Sequence, residues 1–439
     1  MAGFPHAKGK PQLRSVANDA APEPAATLEG RVFVMLQGPP GPFFWLLGKH
    51  MRELGATVHR INFNGGDRVD WPGEGAVDFR GAPKSWPRFF DHFLRDNGVT
   101  DVMLFGDCRP LHRAAHGMAK LRNVNIHVFE EGYIRPDWVT MEVDGVNGHS
   151  TLPRDPEWFL EQAKTLPPVP NLPPITASFD RRVRDSYRYF HHVVTQFWRF
   201  PHYRSHRPGS VLIEGVRWGW KLVVSNKTVA QRTARALAQI KGRKYFLFPL
   251  QLTSDYQIRE HSPFPDMASA VHYVFDSFQR HAPAGTMLLV KEHPLDAGTT
   301  IWSQFVKTEA ERRGLAGRIV HIAGGDLAEL AAGSSGMITV NSTSGSLALT
   351  AQVPVVVLGD AIYDVAGLTH QGPLDDYWTG NACPDQRVWQ AFRQVLHARC
   401  LVRGGFASES AVATLVTSVV SRILDGRPSA LYHSNKWKA

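Results

Sequence analysis

The sequence predicts an α/β fold made of two Rossmann-like domains that face each other across a cleft. Between residues 31 and 131, short β-branched apolar runs alternate with segments of helical spacing, and the alternation restarts near residue 245. A chain of 439 residues with 43% hydrophobic residues can bury the cores of two such domains. No internal repeat or heptad array is visible, so solenoid and coiled-coil architectures are excluded.

We assign residues 29–175 to the first domain and residues 1–28 to a disordered tail, because the tail is rich in Ala and Pro and has no periodicity. The strand RVFVML ends in the loop QGPPGPF, and the helix FFWLLGKHMREL follows. The strand TVHRINF ends in the turn NGGD, and VTDVMLFGD, HRAAHGMAKLRN and NIHVFEEG repeat the order strand, helix, strand. This alternation is typical of a parallel sheet covered by helices.

The second domain is assigned to residues 241–380, with strands in KYFLFPLQ, TMLLVKEHPLD, RIVHIAG, GMITVNSTSG and PVVVLGD. A proline-dense connector at residues 153–175 and a helical bridge at residues 176–240 separate the domains, and residues 381–439 are expected to be helices that pack back across both. Two such domains facing across a cleft form the GT-B-like arrangement of one major class of sugar-nucleotide transferases, which is an analogy of fold only.

Composition narrows the classes of partner and compartment. The formal net charge of +9 favours a polyanionic partner, which can be nucleic acid, an anionic lipid surface or an acidic substrate. No stretch reaches the roughly 20 apolar residues of a membrane span, and the first residues lack the apolar core of a secretory signal, so we expect a cytoplasmic protein. Cys108, Cys383 and Cys400 form no CxxC pair. We therefore expect no disulfide framework, no metal and no other cofactor.

Two adjacent carboxylates, Glu130 and Glu131, end the apolar strand in FEEGYIRPDW. Ligands of α/β proteins bind at the carboxyl ends of strands, and a carboxylate there can act as a general acid or base once burial and neighbouring charges set its pKa. The alternative is a surface turn with two solvated acids. We take both residues as catalytic candidates.

Polar residues also follow two strands of the second domain. In KEHPLD, Lys291 and His293 can contact a phosphate while Pro294 fixes the turn, although an ordinary solvated histidine is the alternative. In VNSTSGSLAL, hydroxyl and amide groups precede a helix, where they can form an anion site or simply cap the helix. The candidates in this second motif are Asn341, Ser342, Thr343 and Ser344.

The acids of the first domain and the phosphate-type groups of the second would meet in a cleft between them. A CMP-sugar carries one phosphate, so a few neutral donors and a histidine could stabilise its departure without a metal ion. GPPGPFF matches neither a P-loop nor a dinucleotide fingerprint, and AGSSGM and NSTSGS do not match G-x-S-x-G. Kinase, dehydrogenase and serine hydrolase functions are therefore disfavoured.

Five motifs, taken in order, carry a family resemblance: QGPPGPFFWLLG, FEEGYIRPDWVTME, FPLQLTSDYQI, KEHPLD and NSTSGSLAL. Across about residues 30 to 380 the chain resembles the capsule polysaccharide biosynthesis and export family of KpsS/LipB type, and its motif set is more distantly similar to the CMP-binding set of bacterial sialyltransferases. The resemblance implies a β-Kdo transferase that uses CMP-Kdo and begins the Kdo linker on a lysophosphatidylglycerol acceptor. It also implies a peripheral position on the anionic inner face of the cytoplasmic membrane, beside other capsule assembly proteins.

The resemblance also assigns roles. It implies that the first domain is the acceptor side and the second binds the CMP-sugar, with His293 and the Ser342–Ser344 segment holding the CMP phosphate. Asp255 is the matching candidate for a nucleophile, with Glu131 assisting the acceptor hydroxyl; a turn or helix-cap aspartate is the alternative for Asp255. A β product from a β-linked donor requires net retention, for which a covalent sugar–carboxylate intermediate is one route. The motif loops that would touch donor or acceptor contain Gln37, Gly38, Arg135 and Gln251.

Two rival functions remain open. The first is a non-catalytic capsule export or assembly partner that uses its basic face to contact lipid or polymer. The second is a nucleic-acid-binding protein, suggested by the aromatic and basic segment YRYFHHVVTQFWRFPHYRSHR, but we find no recognised module for that role and expect no nucleic-acid partner. Trp and Tyr beside Arg also suit contact with anionic phospholipid headgroups.

Overall fold

The fold consists of two α/β halves, each built on its own sheet. The computed structural model describes residues 27–205, 226–252, 256–294, 296 and 300–426. Within these ranges the strands are β1 Val32–Met35, β2 Thr57–Asn62, β3 Ala76–Asp78, β4 Asp101–Phe105, β5 Asn125–Glu131, β6 Trp138–Val143, β7 Tyr245–Pro249, β8 Met287–Lys291, β9 Ile319–Ile322, β10 Gly336–Thr339, β11 Val355–Val357 and β12 Leu401–Arg403.

Helices separate most of these strands along the chain. In the same ranges they are α1 Phe43–Glu53, α2 Gly65–Val69, α3 Trp86–Asp96, α4 Pro110–Leu121, α5 Pro156–Ala163, α6 Phe179–Thr195, α7 Asn226–Ile240, α8 Tyr256–Glu260, α9 Met267–His281, α10 Trp302–Arg312, α11 Leu327–Ala332, α12 Gly345–Thr350, α13 Leu374–Gly380, α14 Gln386–Arg399 and α15 Glu409–Leu424. None of the described helices is long and apolar enough to cross a membrane.

The first sheet has seven strands in the order β12-β6-β5-β4-β1-β2-β3. The strands from β5 to β3 pair in parallel, whereas β6 pairs antiparallel with β5 and β12 pairs antiparallel with β6. The second sheet has five strands in the order β11-β10-β7-β8-β9, all parallel. The predicted α/β fold with two Rossmann-like halves is confirmed.

Both sheets are covered on both faces, which explains their continuous apolar runs. Along β8, Met287 and Leu289 belong to one buried cluster while Leu288 and Val290 belong to another. Successive side chains of a strand point to opposite faces, so a strand buried on both faces is apolar at every position. The same holds in the first sheet, where Val34 lies in a different cluster from its neighbours along β1.

Each sheet has one point where the strand order reverses direction. In the first sheet, β2 lies on one side of β1 and β4 on the other; in the second, β8 lies on one side of β7 and β10 on the other. The loops after these strands diverge to opposite sides and leave a crevice, which is where open α/β sheets bind ligands. The topology therefore indicates the loops after β1 and β4, and those after β7 and β10, as candidate ligand-binding loops.

Several predicted boundaries differ from the structure. Residues 1–26 of the predicted tail lie outside the described residues, but assigning Leu28 to the tail is wrong. Leu28 is buried in the first core, and its N–H donates to the carbonyl of Leu54 at 2.8 Å. The predicted turn NGGD is a short helix, capped by Asn64, whose side chain accepts the N–H of Asp67 at 2.9 Å.

The connector and the bridge divide between the two halves. Phe159 in α5 is fully buried against Phe392, so this part of the connector packs with the second core although we assigned it to the first domain. In the bridge, α6 packs on α2 of the first half and α7 packs beside β9 of the second; residues 206–225 lie outside the described residues. Of the segment 381–439, expected to form helices that pack back across both domains, the described part contains α14 in the second core and α15 in the first. It also contains the strand β12, which the sequence did not predict and which extends the first sheet.

Two glycines let the bridge helix α6 approach α2. A Cβ on Gly65 would collide with the backbone carbonyl of His192, and a Cβ on Gly66 would lie 2.6 Å from the Tyr189 ring. These contacts fix α6 against the loop after β2, and therefore against the first crevice.

We predict that Gly65→Ala lowers the free energy of unfolding by about 1 to 3 kcal/mol, because the added methyl group forces α6 away from α2. Chemical denaturation measures this. Gly117→Ala is the matched control, since Gly117 lies in α4 with open space around its Cβ position, and it should be neutral or stabilising. Equal effects of the two substitutions would contradict the close approach of the helices.

Candidate functional site

Glu130 is the second-last residue of β5, at the edge of the first crevice. Its Oε1 accepts the backbone N–H of Glu131 at 3.0 Å, and the Arg109 guanidinium lies near enough to favour its charged form. Burial outweighs both effects and raises the pKa of Glu130 from 4.5 to about 7. A carboxyl group with a pKa near neutrality can both accept and return a proton, so Glu130 has the property of a general acid or base.

Glu131 has a different environment from its neighbour. Its carboxylate forms an ion pair with Arg182 of α6, and about a quarter of its side chain is exposed. Arg135, in the following loop, is exposed, and its Nε donates to the carbonyl of Gly132 at 3.1 Å. The features of an acid–base residue therefore lie on Glu130, while Glu131 and Arg135 have partners at the rim.

The loop after β1 faces a buried polar cluster. Gln37 is buried, and its Nε2 donates to the hydroxyl of Tyr189 at 2.6 Å. Tyr189 in turn donates to Asp67 Oδ1 at 2.9 Å. Gly38 lines the small adjacent pocket with Asp70, whose pKa is raised to about 6 by burial. Gln37 thus positions the bridge helix, and Gly38 faces the pocket.

Gln251 and Asn341 join the loops after β7 and β10. Gln251 Nε2 donates to Asn341 Oδ1 at 2.9 Å, and the Asn341 N–H donates to Gln251 Oε1 at 3.1 Å. Asn341 Nδ2 also donates to the carbonyls of Gln257 and His261, at 2.9 and 3.1 Å. These bonds connect the loops after β7 and β10 at the second crevice, where the strand order of the second sheet reverses.

The hydroxyl groups after Asn341 are partly exposed. Ser344 Oγ donates to Ser342 Oγ at 2.9 Å, and the Ser344 N–H donates to the same oxygen at 3.2 Å. Among the described residues, Ser344 stands before α12 without a side-chain capping bond, so helix capping does not account for it. Thr343 is also partly exposed, and its carbonyl accepts from Ser346 Oγ at 2.7 Å. The segment can present hydroxyl groups to an anion.

The loop after β8 lies beside that after β7, because the two strands are neighbours. Lys291 is buried, and desolvation lowers its pKa against the opposing charges of Asp326 and Glu292. His293 is partly exposed and its carbonyl accepts the N–H of Asp296 at 3.0 Å, whereas Pro294 is exposed. His293 is therefore more accessible to a ligand than Lys291.

One set of contacts between the two halves runs through His261. This residue follows α8 of the second half, and its Nε2 lies 3.1 Å from the Sγ of Cys108, which lies in the loop after β4 of the first half. Its ring also packs edge-on against His149, with ring centroids 4.5 Å apart. Because Asn341 binds the carbonyl of His261, these contacts bring the acid edge and the Asn341–Ser344 edge together. Asp255, the predicted nucleophile, lies outside the described residues.

Sequence reasoning missed several residues of this site. Cys108 and Arg109 follow β4 in FGDCR, so the strand-end rule applied to Glu130 would also have found them. Tyr189 and His261 carried no local signal. One lies in the middle of a helix and the other in a loop, and only the packing of the chain brings them to the crevices.

Two α/β halves, each with polar loops where its strand order reverses, define a class of open α/β proteins that bind ligands at the carboxyl ends of their strands. Residues 100–406 match the family of capsule polysaccharide biosynthesis proteins. This protein belongs to that family, and the predicted resemblance is confirmed.

Relatives support the same assignment over most of the chain. The capsule polysaccharide export protein KpsS of Escherichia coli is 34% identical over 374 residues, covering 84% of this chain and 95% of the relative. The capsule polysaccharide modification protein LipB of Neisseria meningitidis serogroup B is 33% identical over 389 residues, covering 86% and 91%. A solved KpsC β-Kdo 2,7 transferase from Thermosulfurimonas dismutans aligns with a TM-score of 0.43 at 12% identity, over 90% of this chain and 100% of that one. A structural similarity with a TM-score of 0.43 gives no information about the chemistry of this protein.

We predict that the stability of the Glu130→Gln variant relative to wild type increases as the pH rises. The folded chain binds the Glu130 proton more tightly than the unfolded chain, so wild-type stability falls as the pH rises from 4.5 to about 7. The unfolding free energy of Glu130→Gln relative to wild type should increase by about 1 to 3 kcal/mol between about pH 5 and about pH 8. Denaturation series at several pH values measure it.

The matched control is Asp78→Asn, which removes a carboxylate that pairs with Arg199 at 2.7 Å. Burial disfavours its charge, but hydrogen bonds from Arg199 and Asn62 hold the pKa of Asp78 below its usual value, so its stability difference from wild type should stay constant between about pH 5 and about pH 8. A flat profile for Glu130→Gln would show that the Glu130 proton is not held by burial.

Proposed function

We propose that this protein is a glycosyltransferase that moves Kdo from CMP-Kdo to a lysophosphatidylglycerol-type acceptor and so begins the β-Kdo linker of a capsular polysaccharide. The observation that carries the proposal is the meeting of two strand edges, with Glu130 on one and Asn341 to Ser344 on the other, joined by the Cys108–His261 contact. This juxtaposition supports a site in which a proton-transfer group and a set of anion-binding donors act together.

The second half supplies the groups for the donor phosphate. Ser342 and Ser344 are partly exposed hydroxyl groups, and His293 is a partly exposed imidazole on the adjacent loop. Hydrogen bonds from such groups can stabilise the negative charge that develops on CMP as it departs. Buried Lys291, with its lowered pKa, is assigned a supporting role behind these residues.

Glu130 is proposed as the group that takes the proton of the acceptor hydroxyl. Its pKa of about 7 allows a substantial fraction of carboxylate at neutral pH and a productive proton transfer. The ion pair of Glu131 with Arg182 suits a role in holding the acceptor side of the cleft. The family resemblance had instead assigned assistance of the acceptor hydroxyl to Glu131.

Retention of configuration is proposed to proceed through two displacements. The Asp255 carboxylate attacks the anomeric carbon of Kdo, and the bond to CMP breaks with the electron pair leaving on the phosphate. The acceptor hydroxyl then attacks the same carbon, its proton passes to Glu130, and the bond to Asp255 breaks. The support for Asp255 is the family resemblance, and a mass spectrum of the enzyme trapped with CMP-Kdo tests it through a sugar adduct on that residue.

We predict that the purified protein releases CMP from CMP-Kdo when a lysophosphatidylglycerol acceptor is added. Glu130→Gln, His293→Ala and Ser342→Ala should each lower the rate by roughly 100-fold or more, because they remove proton transfer or phosphate stabilisation. Quantifying released CMP and the Kdo-lipid product measures this.

Glu161→Gln is the control, since this residue lies on the exposed face of α5 in an ion pair with Lys164. Its rate should match wild type. A wild-type protein that binds the acceptor but releases no CMP would favour the non-catalytic export or assembly partner. Wild-type rates in the Glu130 and His293 variants would overturn the site assignment.

The proposal includes peripheral attachment to the anionic inner face of the cytoplasmic membrane. The bridge carries a set of exposed apolar side chains, here named the bridge surface: Phe179, Val183, Tyr187, Val194, Phe197 and Trp198. Arg184 and Arg188 are exposed residues of α6, which carries the first four of these side chains, and Arg188 also pairs with Asp70. Aromatic side chains that insert at the headgroup level, beside arginines that attract anionic lipids, suit an interfacial helix that brings the cleft to its lipid acceptor.

We predict that the double variant Phe197→Ser and Trp198→Ser weakens binding to phosphatidylglycerol vesicles by roughly tenfold or more, because the two side chains no longer bury apolar surface in the headgroup region. Vesicle co-sedimentation measures this. Tyr273→Ser is the control, since Tyr273 is an exposed aromatic residue of the second half, outside the bridge surface. Stronger binding to duplex DNA than to anionic vesicles would contradict the membrane assignment.

A further inference from the structure

Four metal-binding side chains converge between the two halves of the protein. They are Asp107 and Cys108 after β4, His149 in the short 3-10 helix Asn147–His149, and His261 after α8. Their ligand atoms all lie within 4.8 Å of one another. Asp107, Cys108 and His261 are buried and His149 is partly buried, so the cluster is enclosed rather than spread over the surface.

The separations between the ligand atoms suit a tetrahedral ion. Zinc binds sulfur, nitrogen and oxygen ligands at about 2.0 to 2.3 Å, which places tetrahedral ligand atoms roughly 3.3 to 3.8 Å apart. Cys108 Sγ lies 3.1 Å from His261 Nε2, 3.3 Å from Asp107 Oδ1 and 4.0 Å from His149 Nδ1. His149 Nδ1 lies 3.2 Å from Asp107 Oδ2. Small side-chain adjustments therefore create a tetrahedral site.

The surroundings hold these ligands in place. The N–H of Val146 donates to Asp107 Oδ2 at 3.1 Å, which orients the carboxylate. Glycine at position 148 lets the His261 ring approach, because a Cβ there would collide with that ring. Supporting contacts of this kind orient the ligands of metal sites.

A catalytic thiol–imidazole pair is the other chemistry that Cys108 and His261 could provide. The buried Cys108 thiol donates to Asp107 Oδ1 at 3.3 Å, so its hydrogen bond goes to the carboxylate rather than to the imidazole that would activate a cysteine nucleophile. A divalent cation at the centre of the cluster would instead stabilise the thiolate and compensate the carboxylate charge. The four residues together therefore favour metal binding over nucleophilic catalysis.

We propose that Asp107, Cys108, His149 and His261 bind one zinc-class divalent cation that fastens the two halves together at the floor of the cleft. Four protein ligands with nitrogen, sulfur and oxygen atoms are typical of a closed structural zinc site rather than a catalytic one. Three ligands come from the first half and His261 comes from the second, so the ion links the halves. The proposal departs from the expectation of a metal-free protein and does not depend on the glycosyl transfer proposed above.

The first experiment measures metal content in the full-length protein, after removal of any affinity tag and equilibration with zinc followed by gel filtration. We expect about one zinc ion per chain in wild type, as four ligands imply. Cys108→Ser and His261→Ala should each lower zinc affinity by roughly tenfold or more. Cys400→Ser and Cys383→Ser are matched controls for a buried and an exposed cysteine outside the cluster, and they should keep the wild-type zinc content.

Cobalt gives an independent readout. Wild-type protein loaded with Co²⁺ should show the near-ultraviolet thiolate-to-cobalt charge-transfer band and the visible bands of tetrahedral cobalt, and Cys108→Ser should lose the charge-transfer band. Circular dichroism checks that each variant is folded. Asp107→Asn provides a milder change should Cys108→Ser fail to fold, and it should bind zinc more weakly than wild type.

Either of two results would overturn the proposal. One is folded wild-type protein that retains no more than about a tenth of a zinc ion per chain after equilibration. The other is unchanged zinc affinity in folded Asp107→Asn and His261→Ala. A protein that binds zinc through these residues but does not transfer Kdo would leave this proposal standing and remove the proposed function, so the two failures are distinguishable.

Discussion

The contact between Cys108 and His261 joins the two strand edges that carry the proposed transferase site. Cys108 lies in the loop after β4, where the strand order of the first sheet reverses. The carbonyl of His261 accepts a hydrogen bond from Asn341, which lies at the corresponding point of the second sheet. A shift of His261 would therefore displace the Asn341 loop from the acid edge. The position of one half relative to the other sets the geometry of the cleft.

Burial of charge is the second constraint on this region. Arg109, Glu130, Asp67 and Tyr189 share a poorly solvated space, and their mutual interactions offset part of the cost of removing charges from water. Burial nevertheless raises the pKa of both carboxyl groups. The first crevice thus carries groups whose protonation is poised by their environment, a property that costs folding stability and suits a functional site.

The rule that ligands bind at the carboxyl ends of strands explains which site residues could be predicted from the sequence. Glu130 lies at the end of a strand that the apolar pattern identified, and Asn341 and His293 follow two others, so their positions at sheet edges were predictable from local sequence. The assignment of Leu28 to the tail, and the missing strand β12, failed because their partners lie far along the chain. A three-residue strand has no periodicity of its own, so only the vacant edge of β6 reveals it.

The sequence by itself determined the α/β class, the two halves and the family, because periodicity and short motifs are local properties of the chain. Tertiary structure decided that burial raises the pKa of Glu130, that Gln37 binds Tyr189, and that four side chains able to bind a metal ion meet at His261. The physical reason is that desolvation and ligand geometry arise from atoms brought together by packing. In this protein the cysteine and the second histidine of the cluster are 153 residues apart in sequence.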